Sequence, residues 1–97
     1  MEIITKLGYK FIIDDEDADL LKKYNYWIDY IGKKNPRVRV EEKGTDKSTF
    51  LSRLILGVIG RKIEVDHINN DGLDNRKNNL RFASRLQVDV WGKKKGI

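Results

Sequence analysis

Side chains able to do chemistry are concentrated in residues 64–84: Glu-Val-Asp-His-Ile-Asn-Asn-Asp-Gly-Leu-Asp-Asn-Arg-Lys-Asn-Asn-Leu-Arg-Phe-Ala-Ser. His67 is the single histidine of the chain and directly follows an acid, Asp66. The polar residues that come next are mainly asparagine and aspartate. An acid, an imidazole and an amide suit phosphodiester hydrolysis. A hard cation such as Mg²⁺ takes oxygen ligands and keeps several waters, so one carboxylate can contribute to holding it. Imidazole changes charge near neutral pH and can take a proton from water. An amide oxygen can hold the ring in one tautomer. The bland alternative is a satisfied turn histidine beside a solvated acid, with the asparagines serving as loop caps.

These groups need elements to position them. Ile63, Val65 and His67 alternate as on a strand, and Leu80 and Phe82 suggest a second one. Neighbours on a regular strand point to opposite faces. Asp66 and His67 therefore serve one site only if the strand ends or bulges there. Asn69-Asn70-Asp71-Gly72 is a strong turn signal and ends it at that pair. Asp74 then caps a short turn from Arg76 to Asn79, which brings Asn75 and Asn79 within reach of His67.

The upstream chain reads as scaffold. Met1 to Ile13 forms a hairpin turning at Gly8. Asp14 is an N-cap for a short helix over 16–24, with Asp15, Glu16 and Asp17 in its first turn and Lys22 and Lys23 in its last, which complements the helix dipole. That acid cluster is assigned to helix capping rather than to a metal. Tyr26, Ile28 and Tyr30 pair across the Gly32–Pro36 turn with Arg37-Val38-Arg39-Val40-Glu41, valines inward. Lys33, Lys34, Arg37 and Arg39 face outward, where they are either solvated or set along a phosphate backbone. Leu51, Leu54, Ile55 and Val58 share a helical stripe, giving a buried helix over 50–56 ended by Gly57. Ser84 and Gln87 have capping-box spacing and open a final helix, with Leu86, Val90 and Trp91 on one face.

Composition sets the limits. Ninety-seven residues make one domain, with Lys+Arg 20 against Asp+Glu 15 and a net charge of +5. The excess points weakly to a polyanion. With no cysteine, disulfides and thiolate metal sites are excluded, and with one histidine besides, a structural zinc site is close to excluded. No apolar run reaches membrane-spanning length, and the first residues lack a signal-peptide core. The expectation is a protein of the cytoplasm.

From Val65 to Ser84 the chain resembles the HNH motif of phage and intron-encoded homing endonucleases, the ββα-metal fold. The Asp-His pair, Asp-Gly-Leu-Asp-Asn-Arg and Asn-Leu-Arg plus an aromatic fall in the family's order. The acidic stretch 14–17, Tyr26-Trp27 and Arg53 to Gly57 are similar to the family's upstream part. The resemblance implies an α+β chain: an N-terminal antiparallel sheet with short helices over 1–60, a ββα-metal motif over 61–92, and a basic tail over 93–97. It implies a DNA endonuclease of a bacterial or phage-infected cell, acting on double-stranded DNA with Mg²⁺ or, second, Mn²⁺. Carried over, His67 is the general base, Asp66 a metal ligand, Asn79 the amide that orients the histidine and Asn75 a brace for the loop. Arg37, Arg39, Arg76, Lys77, Arg81 and Arg85 are expected to contact nucleic acid. Two positions depart from the family. Val88 stands where a final Asn or His would ligate the metal, and Ser52 where a His commonly precedes Arg-Leu-Ile. Val88 supports an alternative, an HNH-fold protein that binds DNA with impaired or no cleavage.

Overall fold

A computed structural model describes residues 1–29, 35–58 and 63–82 of the chain. Alternating apolar residues and a glycine turn build its first hairpin, in which β1 (Glu2–Ile4) pairs antiparallel with β2 (Lys10–Ile12). Gly8, at φ 90°, takes the left-handed turn position that other residues avoid. Phe11 and Ile13 are buried by this hairpin, whereas Leu7 at its tip is exposed.

The short helix expected over 16–24 is a 3₁₀ helix at Asp15–Lys23. Asp14 makes no side-chain cap bond to it. Its carboxylate is instead used 63 residues away, where Oδ2 accepts the Lys77 backbone N–H at 2.8 Å. The first turn closes through the backbone, Asp17 N–H to Asp14 carbonyl at 3.0 Å.

β3 (Tyr24–Asp29), β4 (Arg37–Glu42) and β5 (Ser48–Phe50) form a three-stranded antiparallel sheet in that order. Val38 and Val40 are buried, as their alternation with charged residues requires. They share one core with Phe11, Ile13, Leu21 and Leu51. The Phe11 ring meets the Tyr26 ring edge-on, with centroids 5.6 Å apart, which ties the first hairpin to the sheet. The other face of the sheet carries Trp27, Arg39 and Phe50 in one cross-strand row.

α1 (Leu51–Leu56) follows β5 without a break. It ends at Gly57, whose φ of 68° is the left-handed C-cap. The chain then reaches β6 (Val65–His67) and returns through the loop 68–76, a 3₁₀ turn at Lys77–Asn79, and β7 (Leu80–Phe82). β6 and β7 pair antiparallel, Asp66 opposite Arg81 and His67 opposite Leu80. The whole is a small mixed α and β domain built on antiparallel sheets. No helix among the described residues is long and apolar enough to cross a membrane. The Gly32–Lys34 part of the second turn, the helix expected from Ser84, Val88 and Arg85 lie outside the described residues.

Candidate hydrolytic site and basic groove

The loop between β6 and β7 is held by its own amides. Asn69 and Asn79 bond reciprocally: the Asn69 backbone N–H donates to Asn79 Oδ1 at 3.1 Å, and Asn79 Nδ2 donates to Asn69 Oδ1 at 2.9 Å. Asn79 Nδ2 also donates to the Asp74 carbonyl at 2.9 Å. Asn69 and Asp71 close successive Asx turns onto the backbone N–H of residues 71 and 73. Asn70 takes a positive φ of 64°, a conformation asparagine tolerates.

The loop is also fixed from outside. Ile12 N–H donates to the Leu73 carbonyl and Asn75 N–H to the Ile12 carbonyl, both at 2.8 Å, so β2 acts as a rail along it. Lys77 reaches the acids at the head of the first 3₁₀ helix, 2.8 Å from Glu16 and 3.1 Å from Asp17. Asp14, Glu16 and Asp17 bring carboxylate oxygens within 4.8 Å of one another, a spacing that could hold a metal. The Lys77 ammonium is the cation in contact with that cluster. Glu16 and Asp17 on both sides of it hold the Lys77 pKa above its ordinary value. These acids thus clamp the loop, a role their position beside a helix start does not reveal.

Asp74 is buried and meets the Arg76 guanidinium through both oxygens, at 2.8 and 2.7 Å. That hydrogen bonding lowers the Asp74 pKa, outweighing the opposing effect of burial. Arg76 and Lys77, expected at a phosphate, are thus both committed to acids of the protein itself.

His67 is buried, and its partner is Asn75, not Asn79: Nε2 lies 3.0 Å from Asn75 Oδ1. The expectation that Asn79 orients the ring is corrected by the loop geometry, which spends the Asn79 amide on Asn69 and Asp74. Asn75 Nδ2 faces the Gly72 carbonyl at 3.3 Å. A carbonyl only accepts, so the amide must point its oxygen at the ring, and the ring must donate from Nε2. The proton therefore sits on Nε2 and the lone pair on Nδ1. Nδ1 has no partner among the described residues.

Asp66 goes the other way. The ladder runs unbroken through His67, so alternation sends the two side chains to opposite faces of β6. Asp66 Oδ2 accepts from Arg81 Nη2 at 2.9 Å and Nε at 3.2 Å across the strands. The expected end of the strand is there, but it comes one residue too late to turn both groups onto one pocket.

On the Asp66 side lies a groove of about 740 Å³. β4 and β5 contribute Arg37, Arg39 and Phe50, and the β6 segment contributes Glu64 and Asp66. The two guanidinium carbons stand 5.5 and 5.0 Å from the Phe50 ring centroid. Arg39 is further held by Asp29 at 3.7 Å and by the Ser48 hydroxyl at 3.3 Å. From α1, Arg53 lines the groove and donates to the Ile63 carbonyl, anchoring the entry to β6. Ser52 also lines it; the residue is 5% exposed, and its hydroxyl makes no hydrogen bond among the described residues. Sequence reasoning passed over Glu64, Phe50 and Arg53 as site residues. For Glu64 a signal existed, since a residue two before Asp66 shares its strand face.

Comparison of the chain with protein-family models, with curated proteins and with solved structures finds no match.

Proposed function

We propose that this chain is a metal-dependent DNA endonuclease of the HNH type, with His67 as its general base. The observation that carries this is the Asn75–His67 contact. An amide with a fixed orientation leaves the basic nitrogen, Nδ1, unengaged, as removing a proton from water requires. The hydroxide so formed attacks phosphorus while the bond to the leaving oxygen breaks, and the water proton stays on Nδ1. β6, the asparagine loop and β7 supply the two strands of a ββα-metal motif. The third element of that motif is expected beyond residue 82.

The donor set fits a hard cation. Mg²⁺ is commonly bound through one or two carboxylates, with waters and substrate phosphate completing its shell. Asp66 would hold it, with Glu64 lining the same groove. Bound there, it would supply charge neutralisation at the phosphate and the leaving oxygen. Asp66 must first leave Arg81. Both partners are more than 40% exposed, so the pair contributes at most about 1 kcal/mol and yields readily. Asp66 must also turn past the end of β6 to share a substrate with His67.

A second reading, a protein of this fold that binds DNA without cutting it, is favoured by two observations. Asp66 sits on the strand face opposite His67, and Val88 offers no donor atom. Supercoiled plasmid incubated with Mg²⁺ or Mn²⁺ separates the two. The nuclease nicks it, His67→Ala does not, and Val88→Asn nicks faster. Intact plasmid at every dose of wild-type protein, with cleavage gained only in Val88→Asn, selects the binding protein.

A further inference from the structure

We propose that the groove between the outer face of β4–β5 and β6 seats one DNA backbone and reads it by charge, independently of sequence. The choice of DNA over other polyanions rests on the nuclease reading. Three features of the groove fit it to a phosphate backbone. Two arginines are stacked on Phe50, and Arg39 is also braced by Asp29 and Ser48, so it has little side-chain freedom left to lose on binding. Ser52 lines the same groove, and its hydroxyl, which makes no hydrogen bond among the described residues, is open to a partner there. Trp27, exposed on the same sheet face and directly across from Arg39, offers an aromatic surface beside the arginines.

Guanidinium and hydroxyl groups are the donors that phosphate oxygens accept from, and they carry no base information by themselves. Phe50 lies under the guanidinium groups, which leaves Trp27 as the surface for a base or sugar, and stacking of that kind tolerates any base. Glu64 and Asp66 across the groove repel phosphate until a cation lies between them. The strand is therefore held toward β4, and a divalent ion strengthens its binding.

Fluorescence anisotropy with two labelled duplexes of unrelated sequence, in EDTA and across a salt series, tests this. Both duplexes are expected to bind with affinities within threefold of each other. Arg37→Ala and Arg39→Ala are each expected to flatten the slope of log affinity against log salt by about 0.9. Arg37 is exposed, so its variant keeps the fold even where Arg39→Ala loosens the sheet. In a Trp91→Phe background, Trp27 fluorescence should change as duplex is added. Replacing EDTA with Ca²⁺ should tighten binding in the wild type but not in a Glu64→Gln, Asp66→Asn double variant. Unchanged salt slopes in both arginine variants overturn the proposal, as does a tenfold preference between the duplexes. Nicking with unchanged slopes removes the groove and keeps the nuclease; altered slopes without nicking do the reverse.

Discussion

At the scale of the residue, the two asparagines near His67 have separable roles. Asn75 is almost wholly buried, with its oxygen on the imidazole. Asn75→Ala leaves a buried ring N–H without an acceptor, which should cost about 1–3 kcal/mol in urea unfolding. It also frees the ring to change tautomer, visible in the imidazole ¹⁵N shifts. Asn79→Ala removes the bonds to Asn69 and Asp74 and should destabilise the loop at least as much, yet leave the His67 tautomer where Asn75 holds it. A tautomer change in Asn79→Ala would return the orienting role to that residue. Arg81 allows a second test. If Asp66 is the metal ligand, Arg81→Gln removes its competitor and should raise Mn²⁺ affinity several-fold by calorimetry, while Asp66→Asn should lower it. Which asparagine faces the ring was not legible in the sequence. Both lie within reach of His67, and the choice depends on how the Asx turns at Asn69 and Asp71 roll the loop.

At the scale of the element, most boundaries were legible wherever a local rule governs them. Gly8 and Gly57 both take positive φ and close the first hairpin and α1 at the places their sequences indicate. The valines of β4 face inward because a charged neighbour lies on either side of each. What stayed hidden was long-range. Asp14, Glu16 and Asp17 look like helix-dipole acids, but Lys77 comes to them from across the chain. No periodicity encodes a contact of that separation. The same holds at Gly72, whose residue type reads as a turn signal alone. A Cβ built there would lie 2.3 Å from the Pro36 carbonyl oxygen and 3.1 Å from Arg37 Cγ. Gly72 is thus the point where the β3–β4 hairpin rests on the His67 loop. Gly72→Ala must push backbone apart and should cost about 1–3 kcal/mol. A urea midpoint equal to that of the wild type would mean that the hairpin is free to move off the loop.

Across the whole molecule, the clamp on the loop predicts how stability depends on pH. Lys77 has its pKa raised above 10.5 by Glu16 and Asp17. A raised pKa in the folded state means that Lys77 contributes its full stabilisation below pH 10.5, and that this is lost as pH climbs through the folded value. Asp74 has its pKa lowered below 3.8 by Arg76. Its contribution is full above 3.8 and fades as pH falls through the folded value. The loop that follows His67 is therefore held from outside by a contact that fails in base and from within by one that fails in acid. Unfolding midpoints in urea from pH 3 to 11 should form a plateau with two falling limbs. Lys77→Met should lower the plateau, because Asp17 stays buried without its cation, and should flatten the alkaline limb. Asp74→Asn should do the opposite, flattening the acid limb alone. The two sets of contacts hold the same loop, Lys77 from the first 3₁₀ helix and Asp74 from within, so the double variant should lose less than the sum of the single losses. Strict additivity would mean that the outer and inner contacts of the loop act independently, and that His67 is positioned by β6 and Asn75 without help from the acid clamp.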